Sequence, residues 1–175
     1  KPDDIGIIGK REPAKDMARV LSRYVHGIMA RTFAHGTIVE FARYATVPVI
    51  NALSDWSHPC QAMADVMTIE EHLGKLNGIK IAYIGDGNNV ARSLAFVAAK
   101  LSMKIMLASP EGYDLDPESI RVANEIQSGC VKTMRDPFKA VKGADVIYTD
   151  TWVSMGQEAE KEQRIRQFKG YQVNR

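Results

Sequence analysis

Short apolar segments alternate with segments of helical periodicity along much of this 175-residue chain. The clearest apolar segments are 80–84, 103–108 and 146–149, and residues 90–101 and 117–127 carry apolar side chains at helical spacing between them. Strands that are joined through a helix pair in parallel, with a right-handed crossover. The alternation therefore predicts an α/β fold, in which a Rossmann-like parallel sheet is flanked by helices.

The same alternation continues on both sides of these segments. We predict helices over residues 17–28, 37–44, 59–73 and 158–168, and strands over 28–33, 47–50 and 131–133. A helical turn is predicted between the strands 131–133 and 146–149. The domain boundary is expected between residues 50 and 75. A bridging helix would there join a partial first domain to a nearly complete second one.

The most specific local feature is the start of a helix at Pro59. Proline suits the first helical position, because the N–H of that position has no intrahelical partner to lose. His58 and Gln61 are three residues apart and so share a face of the helix. Unpaired backbone N–H groups and the helix dipole favour a negative ligand there, and the dipole biases His58 toward its neutral form. The pattern indicates a site for an anionic substrate that carries a carbonyl group.

A glycine turn with the sequence Gly-Asp-Gly-Asn-Asn occupies residues 85–89, directly after a predicted strand. As a dinucleotide fingerprint it is poor, because Val90 stands where the third glycine belongs and no acidic residue closes the next strand. A nicotinamide-linked oxidoreductase is therefore an alternative rather than the leading interpretation. Asn88 is interpreted as a helix cap, whereas the donor and acceptor of the Asn89 amide suit either a cap or a ligand contact.

Two further positions offer charged groups to a ligand. Asp150 begins a polar loop after the last predicted strand, at the carboxyl edge of the sheet, where open α/β folds bind ligands. Its carboxylate suits an ammonium group, and Gly156 gives the loop freedom to move. Arg31 ends an early strand, and its planar fork suits phosphate or carbonyl oxygens, but so do those of Arg19 and Arg23, and the residues alone do not single it out. The charges over 158–166 are interpreted as a solvated helix face.

The composition excludes several classes of protein. With 45% apolar and 25% charged residues and a net charge of +2, the chain has the balance of a globular protein and no charge pattern for nucleic acid or membrane binding. No apolar run is long enough to span a bilayer. Cys60 and Cys130 form no CxxC pair and are interpreted as small, reduced, buried residues without a metal-binding role.

Together these motifs resemble those of the transcarbamylases, over about residues 16–173. The His-Pro-x-Gln element at 58–61 is similar to one shared across that family. The Asp-x-x-x-Ser-Met-Gly loop at 150–156 is similar to the form in members that act on ornithine. The resemblance implies a two-domain architecture. Residues 1–51 would be part of the carbamoyl-phosphate-binding domain, 52–74 the bridging helix, and 75–175 an ornithine-binding domain that is incomplete at its C-terminus.

The resemblance also implies a reaction that needs no metal or organic cofactor. The side-chain amine of ornithine attacks the carbonyl of carbamoyl phosphate, giving citrulline and phosphate. Arg31, His58 and Gln61 would bind carbamoyl phosphate, with Arg31 and His58 as catalytic residues. The residues matched to ornithine contacts are Asn89, Asp150, Ser154 and Met155. A transcarbamylase for another amine is the nearest alternative, although the carboxylate in the loop favours an acceptor with a free α-amino group.

Two segments of the family pattern are absent. These are an upstream Ser-x-Arg-Thr segment that grips phosphate and a downstream His-Cys-Leu-Pro segment that binds the reacting end of ornithine. We therefore expect the chain to be an internal portion of the enzyme and to be inactive by itself. The resemblance further implies a homotrimer or a multiple of trimers in the cytoplasm, or in the mitochondrial matrix of a eukaryote, with small-molecule substrates and no nucleic-acid or membrane partner.

Overall fold

The computed structural model describes residues 12–154 and 157–174, except for the side chain of Glu158. The chain forms two compact units, one extending to Cys60 and the other beginning at Gln61. Each unit is described by itself below. Among the described helices, none combines the length and the apolar character that crossing a membrane requires.

The first unit combines two parallel strands with two helices. Its elements are α1 (Ala14–Leu21), β1 (Ile28–Arg31), α2 (His35–Tyr44) and β2 (Val49–Leu53). The strands pair from Ile28 opposite Val49 to Arg31 opposite Leu53. A small core forms around Phe41, where both helices pack with β1. Because the strands are parallel, their carboxyl ends meet at one edge.

The end of α1 and the start of β2 are two of the bounds in the first unit that differ from the prediction. α1 ends at Leu21 instead of continuing to residue 28, and the hydroxyl of Ser22 there donates to the carbonyl oxygen of Ala18 at 2.7 Å. Ile28 joins β1 instead, where its N–H donates to the carbonyl oxygen of Pro48 at 2.8 Å. β2 begins after this proline, which has no N–H to contribute to the strand ladder. Strand pairing, which the local periodicity does not reveal, thus sets both bounds.

The second unit contains a four-stranded parallel sheet, in the order β5-β4-β3-β6. Its strands are β3 (Lys80–Ile84), β4 (Lys104–Ala108), β5 (Val131–Met134) and β6 (Val146–Thr149). The helices are α3 (Pro59–Leu73), in which the boundary between the units falls, α4 (Asn89–Lys100), α5 (Pro117–Ile126), α6 (Pro137–Ala140), the 3-10 turn Glu158–Glu160 and α7 (Lys161–Gln167). The predicted bounds of β3 and β6 are confirmed.

Both faces of this sheet are covered. Ile81 and Tyr83 of β3 face a core shared with α3 and α4, which includes Leu94. Ala82 and Ile84 face the opposite side, where α6 packs. Alternate residues of a strand point to opposite faces, and burial of both faces is characteristic of parallel sheets. The predicted α/β class with flanking helices is therefore confirmed.

Candidate active site

In the first unit, the candidate residue Arg31 lies at the carboxyl edge of the strand pair. It is the last residue of β1, opposite Leu53 at the end of β2, and its side chain is exposed. The N–H of Thr32 donates to the carbonyl oxygen of Leu53 at 3.0 Å. The segments 32–34 and 54–58 therefore leave the strand pair side by side.

A buried serine organises the turn that leads to His58. Ser54 is 0% exposed, and its hydroxyl lies 2.9 Å from Nδ1 of His35 and accepts a hydrogen bond from the N–H of Ser57 at 3.2 Å. Asp55 Oδ1 accepts from the backbone N–H of His35 at 2.9 Å. Sequence reasoning missed this pairing, because the serine and the histidine lie 19 positions apart and belong to no shared motif.

The start of α3 matches the sequence prediction. Pro59 is its first residue and His58, half-buried, immediately precedes it. Gln61 lies in the first turn, and its Nε2 donates to Oδ1 of Asp65 at 2.9 Å. Cys60 is exposed, so its interpretation as a buried residue is wrong, whereas the other cysteine is buried as predicted.

In the second unit, the side chain of Asn88 caps a helix and also binds Asp150. Its Oδ1 accepts from the N–H groups of Val90 and Ala91 at 3.0 and 3.1 Å, which confirms the predicted cap of α4. Its Nδ2 donates to Oδ2 of Asp150 at 3.1 Å. Asn89 follows as the first residue of α4 and is half-buried. The cap thus links the glycine turn directly to the carboxylate of the polar loop.

Asp150 lies at the predicted carboxyl edge of the sheet. β6 pairs with β3 so that Thr149 stands opposite Ile84, and the hydroxyl of Thr149 donates to the carbonyl oxygen of Ile84 at 3.1 Å. Asp150 Oδ1 accepts from the N–H of Thr151 at 2.8 Å. An open pocket of about 310 Å³ borders this carboxylate. Its lining residues are Thr149, Asp150, Thr151, Trp152, Gln172 and Val173.

In the loop beyond Asp150, Ser154 and Gln157 are joined by two hydrogen bonds. The N–H of Ser154 donates to Oε1 of Gln157 at 3.1 Å, and the N–H of Gln157 donates back to the carbonyl oxygen of Ser154 at 3.0 Å. Ser154 is half-buried. Met155, the remaining candidate, lies outside the described residues.

A buried arginine on α7 holds this loop from the other side. Arg164 is 6% exposed, and its Nη1 donates to Oδ2 of Asp86 at 2.7 Å and to the carbonyl oxygen of Trp152 at 3.2 Å. The Trp152 ring stacks on the buried ring of Phe168. Burial raises the pKa of Asp86, although the neighbouring guanidinium partly opposes that effect. The interpretation of residues 158–166 as a solvated face is therefore wrong for Arg164.

The glycine turn is covered by the chain's own backbone. The N–H of Gly87 donates to the carbonyl oxygen of Tyr113 at 2.8 Å. A Cβ at Gly87 would lie 2.0 Å from the backbone nitrogen of Leu115. In a dinucleotide site, glycines in this turn let the pyrophosphate approach. Here the backbone of residues 113–115, after β4, packs against Gly87 instead. The packing argues against the nicotinamide alternative. Over residues 12–154 and 157–174, no cluster of three or more His, Cys, Asp or Glu residues could hold a metal ion.

We expect Gly87→Ala to lower the free energy of unfolding by about 1–3 kcal/mol, which is typical of overpacking against a rigid neighbour. Urea denaturation followed by circular dichroism would measure the change. Gly36→Ala is the matched control, because a Cβ at Gly36 meets nothing within 4 Å. Equal stability of the Gly87 variant and the wild-type protein would contradict the close packing at this turn.

Two family profiles match the chain and together account for most of it. The carbamoyl-P binding domain of aspartate/ornithine carbamoyltransferase matches residues 2–71. The Asp/Orn binding domain of the same enzymes matches residues 77–175. The chain belongs to the aspartate/ornithine carbamoyltransferase family.

Relatives within the aspartate/ornithine carbamoyltransferase family are similar throughout the matched region. The ornithine carbamoyltransferase of Archaeoglobus fulgidus is 54% identical over 167 residues, which cover 95% of this chain and 54% of the relative. That of Thermococcus kodakarensis is 56% identical over 94% of this chain and 53% of its own length. The chain thus spans about half the length of the curated relatives it matches.

Solved structures from the family give the same result. Ornithine carbamoyltransferase from Pyrococcus furiosus superimposes with a TM-score of 0.89 at 53% identity, over 95% of this chain and 54% of that one. The anabolic enzyme from Campylobacter jejuni gives 0.89 at 43% identity, over 95% and 56%. The resemblance to ornithine carbamoyltransferases that the motifs predicted is confirmed.

Proposed function

We propose that the whole protein transfers the carbamoyl group of carbamoyl phosphate to the side-chain amine of L-ornithine, giving L-citrulline and phosphate. One observation supports this function above the others. Asn88 fixes the Asp150 carboxylate beside an open pocket, at the edge of the sheet where the ornithine-type loop begins. A fixed carboxylate in such a place suits the α-ammonium group of an amino-acid acceptor.

The proposed carbamoyl phosphate site comprises Arg31, His58 and Gln61. When the ornithine amine attacks, a new N–C bond forms and the C–O bond to phosphate breaks. The proton that the amine loses is taken up by the departing phosphate, which leaves as hydrogen phosphate. Negative charge develops on the carbonyl oxygen during this step. Donors already aimed at that oxygen each lower the barrier by about 2.7–4 kcal/mol in comparable sites. Arg31 and His58 are the proposed donors, and Gln61 accepts from the carbamoyl NH₂ group.

The proposed ornithine site uses the loop and the cap of α4. Asp150 binds the α-ammonium group, and the amide of Asn89 binds the α-carboxylate through its NH₂ group. Ser154 and Met155 close over the amino acid as the loop folds in. The substrates are small molecules, and the resemblance supports a cytoplasmic homotrimer without a nucleic-acid or membrane partner. Sedimentation of the full-length protein measures the oligomeric state.

Citrulline formation by the full-length protein tests this function. We expect turnover with ornithine and none with an acylated ornithine, whose α-amine is blocked. Asp150→Asn keeps an oxygen for the Asn88 amide and removes the charge, so kcat/KM for ornithine should fall about thirtyfold, the usual value of a hydrogen bond to a charged group.

Glu70→Gln is the control, because it neutralises an exposed carboxylate on α3. A wild-type protein that forms no citrulline would contradict the proposed function. Equal rates with ornithine and its acylated form would contradict only the assignment of Asp150 and favour a transcarbamylase for another amine.

A further inference from the structure

The amide of Gln61 has a defined orientation. Its Nε2 lies 2.9 Å from Oδ1 of Asp65, one helical turn later in α3. A carboxylate can only accept hydrogen bonds, so the NH₂ end of the amide must face it. The amide oxygen of Gln61 is therefore turned away from Asp65. A free glutamine amide would present either end to a ligand with comparable ease.

Asp65 lies near two tyrosines of the sheet. The Asp65 carboxylate lies near the phenol of Tyr148, on β6, whose ring stacks on that of Tyr83 with centroids 5.3 Å apart. Tyr83 is fully buried, and its hydroxyl donates to Oδ1 of Asn88 at 3.4 Å. Burial and, second, the Asp65 charge raise the pKa of Tyr148, so the phenol remains a donor at neutral pH. The contact between Gln61 and Asp65 thus lies beside a pair of stacked tyrosines that spans two strands.

We infer that Asp65 is a positioning residue that turns the Gln61 amide oxygen toward the NH₂ group of the carbamoyl donor. The inference rests on the proposed function, because it assigns a specificity role within the same site. An amide oxygen that faces the ligand accepts a hydrogen bond from an N–H group but makes none with a methyl group in the same place. Asp65 thereby selects a carbamoyl phosphate over an acyl phosphate of the same shape, although it does not touch the ligand.

Steady-state kinetics on the full-length protein separates this role from a purely structural one. In Asp65→Ala we expect the KM for carbamoyl phosphate to rise about tenfold, as for a lost hydrogen bond. The inhibition constant of acetyl phosphate, which has a methyl in place of the NH₂ group, should stay within about twofold of the wild-type value. Asp65→Asn should restore the wild-type KM within about threefold, because its amide oxygen still accepts from Gln61.

A double-mutant cycle adds a second measurement. If Asp65 acts through Gln61, then Asp65→Ala in a Gln61→Ala background should leave the KM unchanged within about twofold. Tyr148→Phe keeps the ring stack and removes the hydroxyl near Asp65, and it should raise the KM for carbamoyl phosphate about threefold. It serves as the test if Asp65→Ala fails to fold. Glu71→Ala, which removes an exposed carboxylate from the same helix, should change nothing.

Three outcomes would overturn the inference. They are an unchanged carbamoyl phosphate KM in Asp65→Ala, an equal rise in the acetyl phosphate constant, and an additive effect of Asp65→Ala in the Gln61→Ala background. A failure of the proposed function looks different, because the wild-type protein would then form no citrulline at all.

Discussion

Replacing His58 by alanine in the full-length protein should lower kcat for citrulline formation about a hundredfold to a thousandfold. His58 immediately precedes the first turn of α3 and is half-buried. In the proposed reaction its N–H donates to the carbonyl oxygen as negative charge builds there. Because this charge exists mainly in the transition state, kcat should fall far more than the KM for either substrate rises. Initial rates of citrulline release at saturating substrates measure the effect.

His72→Ala is the matched control for that variant. His72 is exposed near the other end of the same helix, where its Nδ1 lies 3.0 Å from the carbonyl oxygen of Thr68. It should therefore retain the wild-type rate. Wild-type turnover by the His58 variant would eliminate the proposed role and shift attention to Arg31 as the principal donor.

Local sequence patterns predict the second unit well, because its strands are apolar and its helices begin with recognisable caps. Asn88 accepts two backbone N–H groups at the start of α4, and Asp116 accepts from the N–H of Ser119 at the start of α5. A cap forms its hydrogen bonds within three residues along the chain, so the signal lies in the local sequence. The first unit is less predictable, because the pairing of Ile28 with Pro48 ends a helical pattern that would otherwise continue.

In the candidate site, too, some features follow from the local sequence and others depend on contacts between distant residues. Pro59 at the start of α3 and Asp150 at the sheet edge follow from motif and topology alone. The second hydrogen bond of Asn88, to Asp150, joins residues 62 positions apart, and no local pattern indicates it. The Gln61–Asp65 pair is intermediate, because spacing of four residues predicts contact on a helix, whereas its position beside Tyr148 depends on the sheet.

The largest effect on stability should come from Arg164→Met. Arg164 and Asp86 lie 78 positions apart, and their side chains are only 8% and 11% exposed. Removing one partner of a buried ion pair leaves the other charge buried and uncompensated, which costs about 3–5 kcal/mol. Urea denaturation of the full-length protein at pH 7 should register a loss of that size. Arg121→Met is the control, because its ion pairs with Glu118 and Glu125 are exposed and should contribute little.

The dependence of this loss on pH identifies its cause. Burial already raises the pKa of Asp86 in the folded protein, and losing Arg164 removes the two influences that lower it, a hydrogen bond and a positive charge. A carboxyl with a raised pKa in the folded state favours folding while it is protonated, and this contribution disappears as the pH rises through that pKa. The deficit of Arg164→Met should therefore be smallest near pH 4, close to the ordinary pKa of an aspartic acid, and grow toward pH 8.

Asp86→Asn combined with Arg164→Met leaves no buried charge, so it should recover much of the loss and abolish its pH dependence. A deficit that is the same at pH 5 and pH 8 would instead attribute the loss to the packing of the guanidinium over the Tyr113 ring and to its hydrogen bond with the carbonyl oxygen of Trp152.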